Sequence, residues 1–102
     1  MENIWNVGDR ALITVIFTDL VTGLPLDPDV VTVKVDSPDP GGLRTTWVYG
    51  AAPEVVRDSQ GQYHFYVTFT RAGTWFYRVE GTGSRVVAGE GALSVAQSHF
   101  YP

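Results

Sequence analysis

The chain contains no cysteine. That excludes a disulfide framework and any thiolate metal set, and it fits folding in a reducing compartment. Histidine is almost as scarce: His64 and His99 are the only two, on different predicted elements, and they do not make a zinc set alone. Basic residues are few, seven against eleven acidic ones for a net charge of −4. Lys34 is the single lysine, and the six arginines are spread singly from Arg10 to Arg85. With no basic stripe to track a phosphate backbone, no nucleic-acid partner is expected. No apolar run approaches the roughly 20 residues a membrane-spanning helix needs, so no membrane partner is expected either. Residues 1–9 lack a basic region followed by an apolar run, so a secretory signal is not expected.

The residues of a catalyst are also missing. No serine stands in a Gly-x-Ser-x-Gly elbow, and nucleophilic catalysis needs a nucleophile poised beside a base and an orienting carboxylate. Gly81-Thr-Gly83 is a turn rather than a phosphate loop, because no helix follows to supply backbone donors. Asp27, Asp29, Asp36 and Asp39 flank one hairpin and are of the ligand type calcium takes. Their spacing lacks the EF-hand pattern, and Asp beside Pro is first a turn preference. The expectation is therefore no enzyme, no catalytic residue, no cofactor and no metal.

What the chain does have is alternation. Its 102 residues suit one domain, with short arms at 1–8 and 96–102, and 44% hydrophobic against 18% charged residues is a globular balance. No apolar set recurs at helical spacing for more than about two turns. Arg10 to Thr18 places Ala11, Ile13, Val15 and Phe17 on one face and Leu12, Thr14 and Ile16 on the other. Asp19 to Pro28, with Gly23 and two prolines, is a connecting loop. Val31, Val33 and Val35 alternate with polar residues, and Ser37-Pro-Asp-Pro-Gly-Gly42 turns that strand into a second one carrying Thr45, Trp47 and Tyr49 on one face. After a break at Gly50–Pro53, a short strand covers Glu54 to Arg57.

The richest stretch is Asp58 to Glu80, which reads as turn, strand, tight turn, strand. Tyr63, Phe65, Val67 and Phe69 point inward, as do Trp75, Tyr77 and Val79 after the turn at Ala72-Gly73. Arg85 to Val95 closes the chain, with Gly89 and Gly91 suggesting a bulge. About seven short strands at intervals of roughly eight to twelve residues are the signature of an antiparallel β-sandwich, and the two long connections suit passages between its sheets.

The aromatics divide by face. Phe17, Tyr63, Phe65, Phe69 and Trp75 form the expected core. Trp5, Tyr66, Phe76, Phe100 and Tyr101, with Leu12 and Ile16, are expected on outer faces or terminal arms. Leu12 and Ile16 put two large aliphatics where water should be. If they cluster with Tyr66 or Phe76, the patch reads as a protein interface. An alternative use is sugar stacking by Trp47, Tyr49 and Tyr66, if these are exposed.

Gly61-Gln-Tyr63-His-Phe65, after Asp58 and before Gly73-Thr-Trp75, resembles the late strand pair of immunoglobulin-like domains, with Phe65 at the position of a cysteine. The resemblance implies a Tyr63 hydroxyl bonded back to the preceding turn. The whole chain is similar to short immunoglobulin-like proteins of tailed bacteriophages and prophages. The shared pattern is Val7-Gly-Asp9, Leu26-Asp-Pro28, Ser37-Pro-Asp39, Trp47-Val-Tyr49-Gly50, Gly61-x-Tyr63, Gly73-Thr-Trp75-Phe-Tyr77, Leu93-Ser-Val95 and Ser98-x-Phe100. That resemblance implies an immunoglobulin-like sandwich and a non-enzymatic virion protein, assembled in the bacterial cytoplasm. Such a protein decorates the capsid or joins head, neck or tail subunits, and its partners are other phage structural proteins or copies of itself in an oligomeric assembly. The alternative is a carbohydrate- or cell-surface-binding module of the same fold.

Overall fold

The computed structural model of the protein describes residues 4–38, 42–83 and 87–97. Eight strands form: β1 (Ile4–Asn6), β2 (Arg10–Ile16), β3 (Val30–Asp36), β4 (Arg44–Val48), β5 (Val56–Ser59), β6 (Gln62–Thr68), β7 (Gly73–Thr82) and β8 (Val87–Ala96). They build a five-stranded sheet in the order β1-β8-β7-β3-β4 and a three-stranded sheet in the order β2-β6-β5. No helix occurs among the described residues. The strand beyond the expected seven is β1. Part of the expected N-terminal arm instead pairs parallel with β8, Trp5 opposite Val95.

The alternating apolar sets meet between the sheets. Val31, Val33 and Val35 of β3 and Val79 of β7 are buried against Phe65, Val67 and Phe69. Tyr63, Phe65, Phe69 and Trp75 are all buried, and Phe65 has no exposed surface. The rings meet edge-on across the gap: Trp47 and Tyr77 lie 6.3 and 6.1 Å from Phe65, and Trp75 lies 5.5 Å from Phe69. Such tilted contacts match the ring quadrupoles and add to area burial.

The connections after β2 and after β4 do pass from one sheet to the other. Two further passages depart from the expectation, one from β1 to β2 and one from β6 to β7. β6 and β7, read as a strand pair, belong to different sheets, and the short link at 69–72 is an arch between layers. Alternation puts the same residues inward in a hairpin and in an arch. Phe69 and Trp75 decide between them by facing each other from opposite sheets, with interplanar angle 70°.

The bulge also falls elsewhere. β7 and β8 pair without a break from Gly73↔Val95 to Gly81↔Val87. Gly91 is there for clearance, since a Cβ on it would land on the Tyr77 phenol ring. The register shift lies in β5, between Arg57 and Ser59, where Asp58 is the extra residue.

Candidate protein-interaction surface

The register of the three-stranded sheet sets its outer face. Leu12 stands opposite Tyr66, Thr14 opposite His64, and His64 opposite Val56. Leu12, Ile16, Tyr66 and Val56 are exposed, Leu12 and Ile16 by more than half. Polar groups edge this strip. The Arg10 guanidinium sits 4.2 Å over the Tyr66 ring. His64 Nδ1 lies 2.7 Å from Asp58 Oδ1, and its ring meets Tyr66 edge-on at 5.7 Å. The face therefore combines apolar side chains with a charged margin, as interface patches do.

The loop at 19–25, which follows β2 in the chain, carries exposed aliphatics of its own. Leu20, Val21 and Leu24 are 79%, 80% and 65% exposed. Asp19 braces this loop: its carboxylate accepts the Val21 and Thr22 amides, its carbonyl accepts Gly23 N–H, and its own amide donates to Leu24. An isolated Thr18–Pro25 bridge closes the base. These bonds fix a tight loop that holds three aliphatics out in water, and a surface already ordered costs less entropy to dock than a mobile one. In the sequence, Gly23 and Pro25 mark this segment only as a turn. The signal was there in three large aliphatics within a segment too short to bury them.

The other expected interface residues do not join this surface. Phe76 is exposed, but on the outer face of the five-stranded sheet, on the far side of the sandwich. There it stands opposite Asp36, beside an ion-pair lattice in which Lys34 and Arg78 both contact Glu80, Arg78 also reaches Glu90, and Arg44 grips Asp36. Trp5 is a correction. Pairing of β1 with β8 turns it to the inner face, half-buried, 5.8 Å from Phe69. Phe100 and Tyr101 lie outside the described residues. Trp47 likewise packs against the core rather than standing free, and Tyr49 lies edge-on to Tyr63 at 5.2 Å.

The densest polar cluster is a clasp. Asp27 accepts two bonds from Arg57, at 3.2 Å from Nε and 2.8 Å from Nη2. It also accepts the Gly61 amide at 2.8 Å and the Tyr63 hydroxyl at 3.0 Å. The Arg57 bonds, then the Gly61 amide, hold its carboxyl down at about 2 against an ordinary 3.8. Burial, with the Asp27 bond, pushes the Tyr63 phenol up. The Tyr63 hydroxyl thus bonds a residue of the distant β2–β3 connection, not the turn just before it, because Asp27 is itself the acceptor that fixes that turn. Gly61 allows this approach: at φ +74° it is left-handed, and a Cβ on it would lie 2.6 Å from the Phe17 carbonyl oxygen. Of the four candidate calcium carboxylates, Asp27 and Asp36 are engaged by arginines and Asp39 is outside the described residues. Among the described residues no three metal-ligating side chains converge.

One cavity of about 480 Å³ opens between β4 and β6, lined by Val35, Trp47, Val67 and Trp75 together with Arg10 and Glu54. Its lining offers packing and two opposite charges but no imidazole or carboxylate pair for acid–base work. Against protein-family models, curated proteins and solved structures, the chain finds no match.

Proposed function

We propose that the protein is a non-enzymatic structural subunit of a tailed-phage virion, an immunoglobulin-like sandwich that binds other capsid, neck or tail subunits. The observation that carries the assembly role is where the exposed apolar residues lie. Of the eleven large hydrophobics exposed among the described residues, five (Leu12, Ile16, Leu20, Val21 and Leu24) fall on β2 and the loop after it. Val56 and Tyr66 extend the set across the same sheet. Scattered exposed aliphatics are ordinary, but a concentration on one sheet and the loop that leaves it marks a contact surface.

The strand order supports the immunoglobulin-like reading. With β1 as strand A, the three-stranded sheet is B-E-D and the larger one carries G-F-C in its middle, with an added strand beyond C. This support replaces that of the Tyr63 motif, which falls on the strand in the E position rather than F. The virion assignment itself rests on the resemblance to phage immunoglobulin-like proteins.

Sugar binding is the weaker reading. Of its three aromatics, Trp47 packs against the core, Tyr49 is exposed but lies edge-on to Tyr63, and the Tyr66 ring is capped by Arg10. The test is incorporation. Purified particles should carry the wild-type protein at a fixed copy number. The double substitution Val21→Asp with Leu24→Asp should leave the circular dichroism unchanged yet lower incorporation at least tenfold. Particles without the wild-type protein, or equal incorporation of the variant, would overturn the proposal.

A further inference from the structure

A sandwich of two open sheets has four edges, and three of them here are guarded. β1 is only three residues long. β4 presents Arg44, Thr45 and Thr46, with Arg44 bonded to Asp36. β5 has four residues, a bulge, and the charges of Arg57 and Asp58. Short length, polar or charged side chains and bulges are the usual devices that keep an edge from pairing with another chain. β2 is the least guarded, with a charge only at its first residue and one threonine among five apolar residues. It is seven residues long, and after Arg10 it reads Ala-Leu-Ile-Thr-Val-Ile, with no charge, no proline and no bulge.

The ladder tells which groups are free. Phe17 donates to Gly61 and Phe69 donates to Asp9, both in the register that continues β2 against β6. Bonded pairs alternate along an antiparallel ladder. Ala11, Ile13 and Val15 therefore turn their N–H and C=O groups to β6, while Leu12, Thr14 and Ile16 turn theirs away. No described residue bonds those outward groups. Among the described residues the space alongside is open: a cavity of about 240 Å³ runs beside the strand, lined by Ile13, Val15, Tyr77 and Gly89. A Cβ on Gly89 would meet nothing within 4 Å.

We propose that two copies of the chain pair antiparallel through β2, with the two-fold axis at Thr14, fusing their three-stranded sheets into one of six strands. The strand complements itself. Outward groups on even-numbered residues must meet even-numbered residues, which leaves two central registers. An axis at Ile13 sets Leu12 against Thr14 and Arg10 against Ile16. An axis at Thr14 sets Leu12 against Ile16 of the second copy on both sides, with Thr14 against Thr14 between them. The second arrangement pairs apolar with apolar and uses a favourable threonine pair. It opposes no like charges, and as an isologous contact it closes at two subunits. It deepens the assembly reading by naming a partner, but it stands on backbone geometry rather than on the exposed loop.

The absence of cysteine makes the test clean. Thr14→Cys places two thiols across the axis, where bonded pairs have Cα atoms about 5.5 Å apart, within disulfide range. On mild oxidation Thr14→Cys should form a covalent dimer at least tenfold faster than Leu12→Cys or Ile16→Cys alone, and the latter two mixed should cross-link to each other. Sedimentation velocity should show a concentration-dependent dimer for the wild type. Thr14→Pro removes the outward amide without taking a bond from the β6 ladder, and Thr14→Lys opposes two charges across the axis. Each should weaken the dimer at least tenfold with the unfolding midpoint little changed in Thr14→Lys. A wild type that stays monomeric at several hundred micromolar, or equal cross-linking at all three positions, would overturn the proposal. A monomer that still enters particles would sink the pairing alone; a dimer absent from particles would sink the virion role alone.

Discussion

Replacing Asp27 by asparagine tests the clasp quantitatively. The carboxylate binds Arg57, Gly61 and Tyr63 together and so ties the β2–β3 connection to the turn before β6. Lowering its pKa from 3.8 to about 2 corresponds to ~2.4 kcal/mol at 1.36 kcal/mol per tenfold. The side chain is 36% exposed, so solvent screening takes a large part of this, and ~1 kcal/mol is expected to remain. Because the folded value lies below the unfolded one, this stability is fully present above pH 3.8 and is lost as pH falls through about 2. Asp27→Asn should therefore be less stable than wild type by ~1 kcal/mol at pH 7, roughly 4–8 °C in a domain of this size. The difference should shrink between pH 4 and pH 2. Urea unfolding followed by tryptophan fluorescence at both ends of that range measures it. Taking the difference between the two proteins cancels the titration of Asp36 and Glu80, whose carboxyls are also held low by their Arg44 and Lys34 partners. An equal difference at pH 2 and pH 7 would refute the electrostatic account and leave only a packing defect.

Two other substitutions probe the scaffold. Gly61→Ala should cost about 2 kcal/mol or more, because the residue is left-handed and the new methyl meets the Phe17 and Leu26 backbone; a thermal midpoint within 2 °C of wild type, roughly under 0.5 kcal/mol, would contradict this. Phe65→Ala removes the ring between Trp47 and Tyr77 and should cost about 3–5 kcal/mol, read as a lowered urea midpoint or outright loss of the cooperative transition.

How much of this was legible in the sequence depended on which physical signal each feature leaves. β3 was plain, since Val31, Val33 and Val35 face the core while Thr32 and Lys34 do not. The hairpin of β3 and β4 was equally plain from the Ser37–Gly42 turn. β1 was invisible because three residues carry no period, and its pairing depends on β8, about ninety residues away. Trp5 was misplaced for the same reason. Alternation distinguishes inward from outward but not one sheet from the other. It thus grouped Tyr66 with Phe76, which lie on opposite sides of the molecule, and left β6 and β7 looking like neighbours. The Asp27 clasp was unreadable, because its partners lie thirty or more residues away and meet only once the sheets have packed. The exposed Leu20, Val21 and Leu24 were readable but were hidden behind turn residues.

Under the proposed pairing, the contact surface lies along β2, whose outer edge is unpaired among the described residues. Residue-resolved amide hydrogen exchange tests it most directly. In dilute protein, Ala11, Ile13 and Val15 should be protected by β6, while Leu12, Thr14 and Ile16 exchange at near-unstructured rates. At concentrations where the dimer forms, the second set should become protected as well. Uniform protection of all six amides in the dilute monomer would mean the edge is already covered and would rule out pairing through β2.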